Sequence, residues 1–343
     1  MKREPMIGAG SKQHGHLREV PAPDTAATDV SVIIVTWNSR DWIERCLAAL
    51  PAATRGLATE IIVHDNASSD GTGALIGDRD DLWLIQDDRN RGFAAGVNHA
   101  FLRAKGRYIF LLNPDCELSA GALSALVGFL DSNPSAAAAA PLLLSDDGEP
   151  QREFQLRRLP TFRTLASEVL LLDKLMPGNR ETSRYRYRDL DITRPQLVEQ
   201  PAAAALLLRR EVFESVGPLD ERFSPAWFED VDYCRRLHES GRAVFLVPSA
   251  TAHHSGGASL QHVSFAEFLE VWYPNLFRYA TKWFSPREAE ALRWLIVAGM
   301  LIRAAAALIG FYDGGQGRWA TARVYWSVLR KAFRRWDDSS PSS

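Results

Sequence analysis

Cysteine is scarce in this chain: three in 343 residues, Cys46, Cys116 and Cys234, widely separated and odd in number. Such spacing argues against a disulfide framework and a cysteine-based zinc site, and it suits a reducing cytosol. An excess of either charge is also missing. Lys and Arg number 40 against 42 Asp and Glu, a net charge of −2, so no global basic field marks a nucleic-acid partner. No G-x-G-x-x-G follows the first apolar run, which argues against a dinucleotide fold. The residues there are Thr36-Trp37-Asn38-Ser39, which do not make a glycine-rich basic phosphate loop either. No internal repeat is visible. Residues 1–29 hold no apolar signal-peptide core and read as a polar, disordered leader. Long charge-free apolar runs are lacking as well. Residues 292–312 are apolar but contain Arg293 and, mid-segment, Arg303, where membrane insertion costs about 2.5–3.5 kcal/mol. A buried or surface-lying helix is expected there, not a spanning one.

What is present is ample apolar content, 46% of the chain, enough for one large domain with an appendage. Residues 30–35 form a continuous apolar run, as a strand buried on both faces does. Trp42, Ile43, Cys46, Leu47 and Leu50 then fall on one helical stripe. Strands are expected at 60–63, 82–85, 107–112 and 136–144, and helices from Phe93 to about Lys105 and over 118–130. Alternation at this spacing predicts a parallel sheet with right-handed crossovers, an α/β fold. Residues 146–161 carry Gly, Pro and arginines and read as a loop-bearing insertion. A second block follows: a strand at 201–208, helices at 209–216 and 228–240, and a strand at 244–247. From Phe265 the chain reads as helical to its end. Three regions follow: the leader 1–29, an α/β unit 30–260 and a helical region 261–338.

Polar clusters close the strands of the first half: Thr36/Asn38, Asp65/Asn66 and Asn113/Asp115. Strand ends along one edge of an open α/β sheet form a ligand crevice. Asp115, delivered by the run Tyr108-Ile109-Phe110-Leu111-Leu112-Asn113-Pro114-Asp115, suits a hard divalent cation that holds a diphosphate. Turn chemistry is the plain alternative for each cluster taken alone. Glu229, Asp230 and Asp232 crowd a helix start behind Trp227-Phe228. Macrodipole complementarity explains one or two such acids; the functional reading makes Asp230 a general base, its proton affinity pulled both ways by burial and the helix end. His253-His254 precede Gly-Gly and are either a structural pair or a metal-ligand source.

Five ordered motifs carry a family likeness: Val32-Ile33-Ile34-Val35-Thr36-Trp37-Asn38, Asp65-Asn66-Ala67-Ser68-Ser69-Asp70-Gly71-Thr72, Asn90-Arg91-Gly92-Phe93-Ala94, Asn113-Pro114-Asp115 and Phe228-Glu229-Asp230-Val231-Asp232. Together, over residues 30–259, they resemble family 2 glycosyltransferases of the GT-A fold, especially the rhamnosyltransferase-like bacterial branch. The resemblance implies a mostly parallel sheet flanked by helices and an inverting sugar transfer from a nucleotide diphosphate donor. It assigns Thr36, Asn38, Asp65 and Asn66 to the base and ribose pocket. Asn90, Gly92, Phe93 and Asn113 become further nucleotide-facing residues. Asp115, with His253 or else its neighbour His254, takes a Mg²⁺ or Mn²⁺ ion, and Asp230 the role of catalytic base. Trp227, Glu229, Asp232, Arg236 and His254 become acceptor-side or supporting residues. The implied partners are a dTDP- or UDP-sugar, with rhamnose first, and a glycan or lipid-linked glycan acceptor at the inner face of the cell membrane. Three departures stand out: His64 occupies a usually apolar strand position, residues 201–205 lack an expected glycine, and Ser224-Pro225 replaces an aromatic run. A sugar-nucleotide nucleotidyltransferase and a non-catalytic sugar-nucleotide-binding protein are the competing readings.

Near the C-terminus, Trp319, Ala322, Trp326, Leu329, Phe333 and Trp336 recur at helical spacing, surrounded by Arg318, Arg323, Arg330, Lys331, Arg334 and Arg335. An aromatic face with basic flanks fits an interfacial helix on an anionic membrane. The same stripe also fits a helix packed on the catalytic domain. Residues 265–284, aromatic and interrupted by Pro274, are expected to form an acceptor-side wall.

Overall fold

The computed structural model describes residues 27–176, 178–256, 263–311 and 317–336. Residues 1–26 of the expected leader, the 260/261 boundary and positions 337–338 lie outside the described residues. The strands are β1 (Val30–Thr36), β2 (Thr59–Asp65), β3 (Trp83–Gln86), β4 (Tyr108–Leu112), β5 (Cys116–Leu118) and β6 (Ala136–Leu144) in the first half. After them come β7 (Leu156–Arg157), β8 (Gln196–Val198), β9 (Gln200–Pro201), β10 (Ala205–Arg209) and β11 (Ala243–His254). One sheet runs β3-β2-β1-β4-β10-β6-β11-β5 with β8 on β11, while β7 and β9 pair as a separate ribbon.

The first four strands are parallel, as their strand–helix alternation requires. Every residue of β1 is buried, the physical reason its sequence is a continuous apolar run. Beyond β4 the sheet becomes mixed. Strand β10 enters antiparallel between β4 and β6, and β11 runs parallel to β6. Helices cover both faces: Ile43, Leu47 and Leu126 pack on one side, Val97, Phe213 and Leu237 on the other.

Several expected elements differ in extent. The helix expected over 118–130 is a short strand, β5, followed by a helix at Ala122–Ser132, because residues 116–118 pair with the end of β11. The strand expected at 201–208 divides: Pro201 joins the ribbon and β10 starts at Ala205. Strand β11 runs well past 247, with a register irregularity between Val247 and Thr251. Inside the segment read as an insertion, a helical turn at Arg152–Gln155 precedes β7.

Helices at Phe265–Trp283, Pro286–Leu308 and Arg318–Phe333 share a core with Leu165, Val169, Phe223 and Phe228. The first two start at capping boxes, Ser264 with Glu267 and Ser285 with Glu288. The helix Pro286–Leu308 is long and apolar enough to cross a membrane by length and composition, with mean hydropathy 1.7. Its arginines within the apolar stretch, Arg293 and Arg303, are nonetheless satisfied by protein. Arg293 pairs with Glu290 and donates to Ala332 O at 3.0 Å, while Arg303 donates to the carbonyls of Glu168 and Val169.

The terminal stripe divides. Ala322 and Leu329 are buried with Tyr325 and Val328, whereas Trp319, Trp326 and Phe333, seven residues apart, stay exposed. The six flanking basic residues are exposed too.

Candidate active site

Asp115 sits in the turn between β4 and β5, where Cys116 N–H donates to Asn113 O at 3.1 Å. Antiparallel pairing sets His254 opposite Cys116 and His253 opposite Glu117. Strand alternation then decides which histidine meets Asp115. His254 does: its Nε2 lies 3.6 Å from Asp115 Oδ1, beyond hydrogen-bond reach, and both side chains are buried. Nδ1 of His254 stands 2.9 Å from Gln151 Oε1, and the Gln151 amide donates to His254 O at 2.6 Å. That amide orientation puts the imidazole proton on Nδ1 and aims the Nε2 lone pair at Asp115. Burial lowers the His254 pKa against the pull of Asp115 and Asp146, so the ring is neutral and ready to ligate.

His253, the first of the two histidines the sequence offered as metal ligand, points elsewhere, with Nδ1 3.3 Å from Ser145 O. Cys116 completes a geometric cluster with Asp115 and His254. Burial pushes its thiol pKa far up, however, and its Sγ contacts Ala204 O at 3.3 Å. One carboxylate and one imidazole are therefore the usable donors. This oxygen–nitrogen set, with the gap between them, fits a hard or borderline divalent cation.

Asp230 opens the helix Glu229–Glu239. The chain reaches it through two bulky residues in left-handed conformation, Trp227 at φ 72° and Phe228 at φ 75°. Each such residue costs on the order of 1–3 kcal/mol and persists only where its surroundings hold it. The holding group is Asn275, 1% exposed, whose amide donates to Ala226 O at 2.8 Å and Trp227 O at 3.2 Å. Phe228 also packs edge-on against Trp272 at 5.0 Å. Asp230 accepts from its neighbour Val231 N at 2.8 Å and from Ala203 N at 3.4 Å. Burial raises its pKa, while those bonds and the Arg157 charge pull it back. Glu229 beside it is buried with one oxygen unbonded, and burial and the Asp230 charge push its pKa well up.

Asp115 and Asp230 line one cavity of about 410 Å³. From the residues singled out in the sequence, Phe93, Asn113, Trp227, Glu229 and His254 join them there. Thr36, Asn38, Asp65, Asn66, Asn90 and Gly92 instead build the neighbouring sheet edge. Thr36 Oγ1 donates to Asp65 Oδ1 at 2.8 Å, Ser68 N–H to Asp65 Oδ2 at 3.2 Å, and Asn38 Oδ1 accepts from Ser69 N at 2.8 Å. Thr36, Asp65 and Asn66 are buried in this network, so they shape the edge more than they face solvent. Gly92, at φ 92°, lets the loop meet Pro225, whose oxygen lies 2.7 Å from where a Cβ would stand. This contact joins the edge to the segment before Asp230.

Asp232 and Arg236 lie outside the cavity wall. Asp232 is wholly buried and meets Arg236 Nε at 3.0 Å, Lys282 Nζ at 2.7 Å and Trp283 Nε1 at 2.8 Å. The hub ties the Asp230 helix to the helix Phe265–Trp283. Phe268 and Trp272, from the aromatic segment 265–284 expected to form a wall, line the cavity. Sequence reasoning missed Gln151, Arg157, Glu168 and Asn275, because isolated polar residues outside the ordered motifs carry no pattern. The arginines of segment 146–161 were the one available signal.

Residues 31–217 match the family described as Glycosyl transferase family 2. The chain is 28% identical over 295 residues to N-acetylglucosaminyl-diphospho-decaprenol L-rhamnosyltransferase of Mycobacterium tuberculosis, spanning 80% of this chain and 92% of that protein. It is 33% identical over 138 residues to Succinoglycan biosynthesis protein ExoO of Rhizobium meliloti, 38% of this chain and 39% of the relative. Mannosyltransferase PcManGT from Pyrobaculum calidifontis, solved in complex with GDP-Man and Mn²⁺, aligns at TM-score 0.49 with 16% identity over 96% of this chain and 92% of its own.

Proposed function

Since this chain belongs to glycosyl transferase family 2, we propose that it is an inverting transferase moving one sugar from a nucleoside diphosphate donor to a hydroxyl of a lipid-linked glycan. Family membership sets aside the nucleotidyltransferase and non-catalytic readings. The observation that carries the proposal is the shared cavity: Asp115 and Asp230, far apart in sequence, line the same space. Inversion requires an activated hydroxyl on the face of the sugar opposite the departing diphosphate. Asp230 accepts the proton of the acceptor hydroxyl as its oxygen bonds to the anomeric carbon and the carbon–phosphate-oxygen bond breaks. Asp115 and His254 would hold a divalent cation, which when bound neutralises charge on the leaving diphosphate. Trp227, Phe268 and Trp272, whose rings stand 5.0–6.3 Å apart, give the acceptor an aromatic wall. The 28% identical relative is named for a lipid-diphosphate acceptor and rhamnose, which makes dTDP-rhamnose the first donor to try, before UDP-sugars.

The exposed ridge Trp319, Trp326 and Phe333 with its basic flank supports docking on an anionic membrane at the cytoplasmic face. A lipid-linked acceptor is presented there.

Asp230→Asn and Asp115→Ala separate the two halves of the reaction. Loss of a positioned base costs about 10²–10⁴-fold in rate, so Asp230→Asn should lose turnover on that scale while calorimetry with Mn²⁺ shows donor affinity retained. Asp115→Ala should weaken donor binding itself. Wild-type turnover by Asp230→Asn overturns the proposal.

A further inference from the structure

His64 is the strand residue that the family likeness left without a role. It neighbours Asp65 on β2, so the two side chains take opposite faces. Asp65 belongs to the donor edge, while His64 faces the helix Phe93–Phe101. Gly96 permits that approach: a Cβ there would stand 2.8 Å from Val35 Cγ1 and 3.1 Å from His64 Nδ1. The close contact brings His99, nearly one turn further along the helix, above the strand end where Asp87 follows β3.

Three potential donor atoms meet there. His64 Nε2 lies 3.3 Å from Asp87 Oδ2, His99 Nδ1 lies 4.0 Å from the same oxygen, and all three lie within 4.8 Å of one another. His64 is fully buried, and among the described residues neither of its ring nitrogens, nor Asp87 Oδ2, has a hydrogen-bond partner. Leaving such atoms unmet costs about 1–3 kcal/mol each, so a native fold supplies something for them. A proton on His64 is a poor answer, because burial drives its pKa down to about 4 despite Asp87.

We infer that His64, Asp87 and His99 form a second, structural cation site of the zinc type, separate from the Asp115 centre and independent of the transferase reading. Two neutral imidazoles and a carboxylate are an established donor set for Zn²⁺. With bonds of about 2.0–2.2 Å, tetrahedral donors stand about 3.3–3.6 Å apart. The His64–Asp87 edge already matches, and a rotation of the His99 ring, 41% exposed, would close the remaining 4.0 Å edge to Asp87. Its open side admits a water as fourth ligand. Arg91 Nε, 3.1 Å from Asp87 Oδ1, engages the other carboxylate oxygen and orients it. A cation here would pin the ends of β2 and β3 to the helix behind the donor edge.

Equilibrium dialysis of the full chain against Zn²⁺, with Co²⁺ visible spectra, tests this. Because the Asp115 centre also binds cations, Asp115→Ala is compared with Asp115→Ala/His99→Ala. The inference expects Asp115→Ala to retain one Zn²⁺ per chain, give intense tetrahedral Co²⁺ bands and melt higher with Zn²⁺, and the double variant to lose all three. His99 is partly exposed, so its removal leaves the core intact; unchanged circular dichroism and melting without metal check this. Equal uptake by both variants, or none by Asp115→Ala, overturns the inference and leaves His64 and Asp87 a simple ion-pair contact.

Discussion

Asp230 and Glu229 are adjacent acids with different surroundings. Both line the cavity, but Asp230 has two backbone donors, whereas Glu229 keeps an oxygen without a partner among the described residues. Burial raises both pKa values, with consequences of opposite practical sign. As a base Asp230 works only when ionised, so turnover should fall as pH drops through its raised pKa. A kcat profile flat across the acid limb would remove Asp230 from that role. For Glu229 the folded state binds the proton more tightly than the unfolded state. Its contribution to stability is therefore full below the ordinary glutamate pKa and is lost as pH rises toward the folded value. Glu229→Gln should lose less melting temperature than wild type between pH 5 and pH 8, which differential scanning fluorimetry reads directly. A parallel pH dependence in the two proteins would show that Glu229 is charged when folded. Both acids stood out in the sequence, but their unequal bonding did not, because it depends on Ala203, 27 positions from Asp230, as well as on the adjacent Val231.

Elements matter here through how they dock. Asp232 was legible as part of an acidic helix start, where the macrodipole alone accounts for it. In the fold it is the point at which the helix Glu229–Glu239, with Arg236 one turn on as a partner, grips the helix Phe265–Trp283 through Lys282 and Trp283. Removing one partner of a buried pair costs about 3–5 kcal/mol. Arg236 and Lys282 reach solvent in part, 18% and 24%, so Asp232→Ala should cost near the lower end, about 3 kcal/mol. Urea denaturation measures it; a loss under about 1 kcal/mol, the level of an exposed pair, would show the hub to be dispensable. Sheet order shows the same divide between near and far. The parallel half follows from alternating elements, whereas the reversed β10 between β4 and β6 comes from a segment about 100 residues later.

Across the whole molecule, the aromatic ridge and the cavity belong to one helical unit: Phe268 and Trp272 line the cavity, and Trp319, Trp326 and Phe333 face outward. Neither reading of the terminal stripe survives alone. Its Ala322 and Leu329 pack inward and Trp336 meets Phe277 at 5.2 Å, whereas Trp319, Trp326 and Phe333 stay exposed. Flotation with anionic liposomes should recover the wild-type chain at low salt. Trp319→Ser/Trp326→Ser/Phe333→Ser should stay with the soluble fraction at unchanged melting temperature. Equal flotation of both proteins would assign membrane contact elsewhere.

By itself the sequence determined the α/β class, the strand ends that carry Asp65 and Asp115, and the acidic helix start of Asp230. These are local matters of periodicity, turn chemistry and ordered motifs, each readable within a dozen residues. The tertiary structure alone decided which histidine meets Asp115, that Asp115 and Asp230 share a cavity, and that His64 finds Asp87 and His99. Strand register and helix approach set those distances, and both arise from contacts between segments that the chain keeps far apart.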